Sequence, residues 1–263
     1  MRRVLAVVLA MAAMAAPQSL RSQTADDAAA QNVQKARTVL DQMVQALGGD
    51  LWLNKKNEMQ QGRIAAFYHG QPNLGTTRFW DFHVWPDKDR LEYTAHRDVL
   101  QFYEGRAGWE VTYRGKKELP KEQVDDFLRR RDHSIETAVK VWLKDPKTIL
   151  IYEGQRMATR HLGDQVTLIS AQNEAITILA DTQTHLPLKR SFQWRDPLYK
   201  DKNTDAEEYD DYHVVDGFPT AFSITRYKNN EMTRQIYMEH VEYNRDLPAD
   251  FWDVDTWARR IKK

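Results

Sequence analysis

The sequence predicts an α+β fold that is mainly β, with a curved antiparallel sheet covered by amphipathic helices. Three observations predict it. Most of the chain alternates apolar and polar residues with a period of two, which is typical of half-buried strands. Short turn signals such as His69-Gly70 and Asp216-Gly217 separate these stretches and favour antiparallel neighbours. Two other stretches space their apolar residues three and four apart, which indicates helices.

The chain begins with the pattern of a secretory signal peptide. Two arginines precede an apolar run from Val4 to Ala16, which is too short for a stable membrane anchor. Small residues allow cleavage after Ala15, so we expect residues 1–15 to be removed and the mature chain to be periplasmic. An ordinary N-terminal core helix is the alternative, but the run has no polar face. Residues 16–31 are polar and alanine-rich and are predicted to form a flexible leader.

The composition argues against several classes of function. Because no cysteine occurs, the sequence offers no disulfide, no thiol nucleophile and no cysteine for metal binding or lipid attachment. The 38 basic residues balance the 38 acidic ones, and cleavage would remove only Arg2 and Arg3, so long-range attraction to nucleic acid is not favoured. Residues 32–263 contain no linker and no membrane-spanning segment, which predicts a single domain.

Two amphipathic helices are predicted. In residues 32–47 the apolar side chains recur at helical spacing, and Gly48 follows as a C-terminal stop. The second helix should cover residues 120–144. Pro120 suits the first turn of this helix, and Pro146 prevents its extension.

Twelve strands are predicted in the remainder of the chain. They cover residues 59–68, 76–85, 90–97, 99–104, 108–113, 148–153, 165–170, 175–180, 186–194, 207–215, 220–228 and 233–243. One sheet of this size cannot cover its own inner face, so the two helices should lie across it.

Apolar side chains at alternate strand positions predict a concave apolar surface. In residues 76–85, for example, Trp80 and Phe82 share one side of the sheet. Asp81 and His83 share the other side. The predicted ligand-contact residues are Trp80, Phe82, Val84, Trp109, Val111, Ile176, Ile178, Phe192 and Trp194, with Phe127, Ile135 and Trp142 of the second helix closing the cavity. The alternative is an ordinary closed core, because aromatic strand residues usually serve packing.

Several segments together resemble a known family. These are QALGGD at the end of the first helix, YEGRAGWEVTYRG, LADTQTHLPLKRSFQW and YDDYHVVDGFPTAFSITRY. In this order they resemble the LolA-like periplasmic lipoprotein-carrier superfamily, the outer-membrane lipoprotein-sorting proteins, over residues 32–251. The resemblance implies a half-open β-barrel closed by helices, with a cavity that holds acyl chains. Its motifs are turns and strand starts, so they imply a framework and no chemistry.

No established catalytic or metal-binding motif is present. The eight histidines are scattered without HExxH spacing, and no GxSxG sequence surrounds a serine. The acidic run at residues 205–213 could bind a cation weakly, but a solvated loop leading into an edge strand is favoured. Residues 129–131, three arginines, could touch anionic head groups, although a solvated helix face is favoured. We therefore predict no catalytic residue, no metal and no cofactor.

The sequence thus favours a periplasmic, non-catalytic carrier or binding protein with an apolar groove for lipid or lipoprotein acyl chains. One alternative is an envelope sensor or assembly module that binds a protein partner through its groove or edge strands. A third hypothesis is a hydrolase that uses acidic residues near His213. Nucleic acid is not an expected partner.

Overall fold

The computed structural model describes residues 18–73 and 75–261 and contains an open antiparallel sheet of fourteen strands. The strands are β1 (Glu58–Tyr68), β2 (Gln71–Pro72), β3 (Thr77–Val84), β4 (Lys88–Tyr93), β5 (Val99–Glu104), β6 (Ala107–Thr112), β7 (Gly115–Glu118), β8 (Ile149–Ala158), β9 (His161–Ile169), β10 (Ala175–Asp181), β11 (Pro187–Arg195), β12 (Lys202–Val215), β13 (Phe218–Lys228) and β14 (Glu231–Tyr243). The predicted fold class is confirmed.

Two meanders form this sheet. Strands β1 to β7 form the first and β8 to β14 the second, and the pairing of β1 with β14 joins them at the centre. The outermost strands, β7 and β8, lie at opposite edges. Within the described residues these two edges do not pair with each other, so the sheet does not close into a barrel.

Five α-helices accompany the sheet in the described part of the chain. They are α1 (Gln18–Ala46), α2 (Asp50–Leu53), α3 (Lys121–Asp132), α4 (Ile135–Lys140) and α5 (Val254–Ile261), with a 3-10 turn at Trp142–Lys144. None of these helices is long and apolar enough to cross a membrane.

The first helix begins earlier than predicted. α1 starts at Gln18, so residues 18–31, predicted as a flexible leader, are helical. The side chains of residues 26–31 are exposed, and the helix propensity of this alanine-rich stretch accounts for its conformation without burial. From Ala36 onward, buried apolar side chains hold the helix against β8, β9 and β10. The predicted signal peptide, residues 1–15, lies outside the described residues.

The second predicted helix is interrupted in the structure. α3 ends at Asp132, and α4 begins after Ser134, whose Oγ accepts a hydrogen bond from the backbone N–H of Thr137 at 3.0 Å. Such an N-cap satisfies a donor at the start of a new helix and so permits a change of direction. We call α3 and α4 together, residues 121–140, the lid.

All twelve predicted strands are present, with displaced boundaries. The largest displacements are at β12, which begins five residues early at Lys202, and at β8, which continues to Ala158. Two short strands, β2 and β7, and two short helices, α2 and α5, were not predicted. Elements of two to eight residues contain too few periods for an apolar pattern to be read from the sequence.

The sheet has two faces with different covers. Consecutive residues of a strand point to opposite sides, so Phe102 and Tyr103 of β5 lie in different clusters. Tyr103 packs beneath α3 on the side that we call the lid face. Phe102 packs against α5 on the opposite side, which we call the outer face.

The lid face contains the largest apolar cluster, formed by α1, α4, β9 and β10. Its buried side chains include Leu40, Met43, Val139, Trp142, Val166, Leu168, Ile176 and Ile178. Full burial of one such side chain stabilises the fold by roughly 1.5–3 kcal/mol, so this cluster is a main source of stability.

A buried arginine anchors the C-terminal segment on the outer face. Arg90 is 1% exposed, lies 2.6 Å from Glu92 and donates a hydrogen bond to the carbonyl oxygen of Phe251 at 2.7 Å. Its guanidinium also lies over the Trp257 ring of α5, 3.8 Å from the ring centre. Burial lowers the pKa of Arg90 to about 10, against the opposing charge of Glu92, which leaves the side chain charged at neutral pH.

The join between the two meanders gives a test of the fold. Gly62 follows a bulge in β1, and a Cβ at this position would lie 2.0 Å from the carbonyl oxygen of Tyr237 in β14. We expect Gly62→Ala to lower the free energy of unfolding by about 2 kcal/mol or more, because the strands must separate locally.

Urea denaturation checks this prediction, with Gly70→Ala as the control. Gly70 differs from Gly62 in having a positive φ of 73°, but nothing lies within 4 Å of a Cβ there, so its substitution should cost no more than about 1 kcal/mol. Equal losses in the two variants would contradict the prediction.

Candidate functional site

A cavity of about 380 Å³ lies between the lid and the lid face of the sheet. The central strands β1, β3, β13 and β14 supply its floor, and β4, β5, β11 and β12 supply its sides. Residues of α3 and α4 cover it. The cavity therefore lies at the join of the two meanders, where the lid crosses the sheet.

The floor of the cavity is apolar. Ile64 of β1 pairs in register with Ile236 of β14, which pairs with Ile224 of β13. One step along the strands, Phe79 and Met238 flank Gly62 from either side. These side chains belong to one apolar cluster, and their burial leaves a continuous hydrocarbon surface beneath the lid.

Arg131 holds α3 against the sheet at one end of the cavity. Its guanidinium donates to the carbonyl oxygens of Asp87 at 3.0 Å and Gly105 at 2.6 Å, and it lies 3.1 Å from the carboxylate of Asp89. The Arg131 side chain is only 11% exposed. Because these three acceptors all lie on β4 or on turns beside it, one side chain fixes the end of α3.

Glu136 holds α4 in a similar way. Its carboxylate lies 2.6 Å from Lys140, 3.4 Å from Lys55 and 3.4 Å from His83, which is also bonded to Asp89 at 2.7 Å. Burial opposes protonation of His83, but the hydrogen bonds to Asp89 and Glu136 outweigh it and raise the pKa of His83 to about 10. The protonated imidazole thus links the lid to β3 and β4. We call the set of Arg131, Glu136 and their partners the latch.

Asp81 is the buried carboxyl group beside the latch that has no matched partner. It lies on β3 between Phe79 and His83, and its Oδ1 is buried without a hydrogen bond. Burial and the neighbouring Asp89 raise the pKa of Asp81 to about 7, whereas His83 acts in the opposite direction. Asp81 therefore changes its protonation state near neutral pH while facing the cavity.

A row of charged residues crosses the other end of the cavity. Arg190, Glu207, Arg226 and Arg234 are successive cross-strand partners on β11, β12, β13 and β14. Glu207 lies 2.9 Å from Arg190 and 2.7 Å from Arg226. Burial alone would raise the pKa of Glu207, but Arg190 and Arg226 lower it to about 2.

This row corrects one sequence-based prediction. The acidic run at residues 205–213 is an internal strand, β12, and not a solvated loop beside an edge strand, because tertiary pairing buries Glu207 between arginines. Among the described residues, no group of three potential ligands could hold a metal ion. His213 is exposed and pairs with Asp211 at 3.0 Å.

The arginines of α3 do not form a solvated face either. Arg129 lies over the ring of Trp194, 3.5 Å from the ring centre, and Arg130 pairs with Asp126 at the cavity. The helix turns these side chains toward the sheet because carboxylates, carbonyls and an aromatic ring there offer them partners.

The structure distributes the predicted ligand-contact residues over both faces. Phe127 lines the cavity. Trp80, Phe82, Val84, Trp109 and Val111 lie on outer-face positions, where the C-terminal segment packs over most of them. Ile135, Trp142, Ile176 and Ile178 belong to the cluster beneath α1, Phe192 stacks on His133 at 4.3 Å, and Trp194 lies beneath Arg129.

Trp80 and Phe82, predicted as ligand contacts, therefore lie on the side of β3 opposite this cavity. The alternation separated the two faces correctly, but both contain large apolar residues, and the sequence does not show which face receives the lid. The residues that line the cavity from β3 are the opposite set, Phe79, Asp81 and His83. A charged pair in that set was the available signal, since buried charges in a strand indicate a polar site.

Solved structures have the same fold at low sequence identity. A DUF1329 family protein from Desulfovibrio piger has a TM-score of 0.56 and 10% identity, and the match covers 84% of this chain and 97% of that one. A domain described as an outer membrane lipoprotein-sorting protein, from Vibrio parahaemolyticus, has a TM-score of 0.54 and 10% identity, covering 88% and 100%. A LolA superfamily protein from Nitrosomonas europaea has a TM-score of 0.51 and 11% identity, covering 82% and 96%.

No family model and no curated protein sequence matches the chain. The likeness to the three structures is one of fold, and it confirms the resemblance to LolA-like proteins at that level. At such low identity a shared fold does not establish a shared function, so the chemistry of the cavity is argued from the residues of this chain.

The latch can be tested by comparing a buried arginine with an exposed one. Arg131→Gln should lower the free energy of unfolding by about 3 kcal/mol, because three acceptors, among them the buried carboxylate of Asp89, lose their donor. Arg106, which is 73% exposed and pairs with Asp132 at 3.0 Å, is the control, and Arg106→Gln should cost no more than about 1 kcal/mol. Denaturant unfolding measures both. A cost for Arg131→Gln no larger than that of the control would refute the latch.

The raised pKa of Asp81 predicts that the free energy of unfolding depends on pH. Its folded-state pKa of about 7 exceeds the ordinary value of 3.8, so the folded protein retains a proton that the unfolded chain releases. The stability that this group contributes is complete at low pH and is lost as the pH rises toward and through about 7. Asp81→Asn should therefore stabilise the protein at alkaline pH, by up to about 4 kcal/mol, and have little effect at acidic pH.

Thermal or urea unfolding across this pH range measures the effect. Asp41→Asn, which alters an exposed ion pair with Arg37 on α1, is the control and should give a difference that does not vary with pH in this way. An Asp81→Asn effect of constant size at all pH values would show that Asp81 does not titrate in this range.

Proposed function

We propose that the protein is a periplasmic, non-catalytic carrier that holds a single-chain lipid in the cavity beneath the lid. The observation that carries this proposal is the apolar floor formed by Ile64, Phe79, Ile224, Ile236 and Met238 inside a covered cavity. A hydrocarbon chain on this floor would be removed from water, at a gain of about 0.8 kcal/mol for each buried methylene group.

The volume of the cavity limits the size of the ligand. About 380 Å³ lies near the lower end of the usual range for small-molecule sites and corresponds to roughly a dozen water molecules. One acyl chain of moderate length fits this space better than the several chains of a lipoprotein anchor. We therefore narrow the expected ligand from lipoprotein acyl chains in general to a lipid with one chain.

Two further observations support the proposed periplasmic location and the proposed class of carrier proteins. The predicted signal peptide, residues 1–15, would export the chain, and the fold is shared with a domain described as an outer membrane lipoprotein-sorting protein. The polar latch suits a carrier because its ion pairs can exchange partners with water when the lid opens, whereas an apolar seam of equal size would resist opening. His213, exposed and paired with Asp211, gives no support to a hydrolase.

A second candidate function is an assembly module that binds an envelope protein at the sheet edge. The edge strand β8 exposes Ile149 at 56% and Met157 at 66%, and the adjacent Leu162 of β9 is 42% exposed. An edge strand with exposed apolar side chains can accept a strand from another protein on its outer side. This function predicts a protein partner and an empty cavity.

Substitution on the cavity floor tests the carrier function. Ile224→Trp places an indole in the cavity and should reduce the binding of palmitate at least tenfold, because the ring occupies the space of the chain. Thr225→Trp is the matched control, since the next residue of β13 points to the outer face and should leave the affinity within about twofold.

Calorimetric titration of the purified chain with palmitate measures these affinities, and mass spectrometry after organic extraction identifies any lipid that co-purifies. Absence of binding by the unsubstituted protein would reject the carrier function. A stable complex with an envelope protein, abolished by Met157→Lys on β8, would then favour the assembly module.

A further inference from the structure

The two ends of the cavity differ in their balance of charge. At the latch end, the carboxylates of Glu58, Asp89 and Glu136 are matched by cations. Lys55 lies 2.6 Å from Glu58, and His83, Arg131 and Lys140 pair with the other two. Asp81 is neutral when it binds its proton. Each of these four cations lies within ion-pair distance of a carboxylate, so the latch end has no unpaired cation to offer a ligand.

The opposite end has more arginines than carboxylates. Four arginines and two carboxylates line it, namely Arg130, Arg190, Arg226, Arg234, Asp126 and Glu207. The neighbouring groups outside the cavity lining do not reverse this balance, because two cations, Arg129 and Lys228, accompany two acids, Asp196 and Asp205. We call this end the arginine end.

Arg234 is the cation of this end that lacks a carboxylate partner. Arg190 and Arg226 share Glu207, and Arg130 pairs with Asp126. No carboxylate of the described residues lies within ion-pair distance of Arg234, whose direct cross-strand partner is another arginine, Arg226. Like charges placed opposite each other on adjacent strands repel, so this pair destabilises the empty protein.

The surroundings of Arg234 agree with this repulsion. Burial by the cavity wall and the charges of Arg226 and Arg130 all lower the pKa of Arg234. Arg234 lines the cavity while the residue as a whole is exposed, so that it can meet both a ligand and solvent.

The apolar floor continues directly into the arginine end. Ile224 precedes Arg226 by two residues on β13, and Ile236 follows Arg234 by two residues on β14, so each arginine lies beside an isoleucine on the same face. A molecule that lies along these two strands would contact hydrocarbon with one part and guanidinium groups with the other. This juxtaposition is the arrangement that an amphiphile with a negative head group requires.

We infer that the carrier selects anionic single-chain lipids, whose carboxylate or phosphate head is bound by Arg234 and Arg226 while the chain lies on the isoleucine floor. This inference rests on the proposed function and specifies its ligand class. A bound anion removes the repulsion between the two arginines, so that binding the head group gains electrostatic free energy that a neutral lipid does not.

The test compares lipids that share a chain and differ in their head groups. The probes are palmitate, palmitoyl lysophosphatidic acid, monopalmitoylglycerol and inorganic phosphate, each titrated into the full chain. We expect the two anionic lipids to bind at least tenfold more tightly than monopalmitoylglycerol, with an affinity that falls as salt is added.

Arg234→Gln should reduce the preference for anionic lipids to about twofold and leave the affinity for monopalmitoylglycerol unchanged. The matched control is Arg156→Gln, an exposed arginine on edge strand β8, which should retain the full preference. Because Arg234 is exposed and makes no ion pair with the described residues, its replacement is expected to leave the fold intact, which circular dichroism checks.

Each outcome distinguishes this inference from the function on which it rests. Equal affinity for palmitate and monopalmitoylglycerol would reject head-group selection and retain the lipid carrier. Absence of binding by all three lipids would reject the carrier itself. Binding of inorganic phosphate that is lost in Arg234→Gln, without affinity for any lipid, would overturn the inference in favour of a site for a free anion.

Discussion

The contact between the lid and the sheet depends on buried charged groups, and the rest of the site depends on that contact. Arg131 and Glu136 hold two helices over the centre of the sheet through Asp89, His83 and Lys55. Such a buried network gives little net stability compared with an apolar core, but loss of one member is costly because it leaves other charges unpaired. The network therefore sets where the lid lies more than how strongly the domain folds. Stability comes mainly from the apolar cluster beneath α1 and from the outer-face clusters that the C-terminal segment covers.

This division of roles explains the chemistry of the cavity. Although α3 packs closely on Tyr103, arginines and carboxylates from the lid and from the sheet line the cavity around its apolar floor. The cavity is apolar on its floor and lined by charged residues at its ends. At the latch end every cation is paired with a carboxylate, whereas at the arginine end Arg234 makes no ion pair with the described residues. A single-chain lipid with a negative head satisfies both surfaces, whereas a purely apolar ligand would leave Arg226 and Arg234 facing each other.

The agreement between sequence and structure follows the physical basis of each prediction. The alternation of residues in strands such as β5 reflects half-burial along the whole element, so all twelve predicted strands were found. The break at Ser134 was missed because the apolar spacing of residues 120–144 is nearly the same for one helix as for two helices with a change of direction. Helix propensity alone accounts for the extension of α1 back to Gln18. The sequence shows no apolar periodicity there from which a helix could be predicted. The interpretation of the three arginines at residues 129–131 as solvated failed for a related reason, since their partners come from strands distant in sequence.

By itself the sequence determined most of the strands and the antiparallel connectivity, because these depend on local periodicity and on turns between neighbours in the chain, and the resemblance to LolA-like proteins indicated the general fold. Tertiary structure alone decided which face of the sheet became the cavity. Trp80 and Asp81 are adjacent in the sequence but lie on opposite faces of the sheet. Trp80 packs beneath the C-terminal segment, and Asp81 lines the cavity. That choice depends on where α3 and α5 come to lie, and their positions depend on buried pairs such as Arg131 with Asp89 and Arg90 with Glu92. The cross-strand row of Arg190, Glu207, Arg226 and Arg234 also exists only through register, which brings four separate strands together at a single level of the sheet.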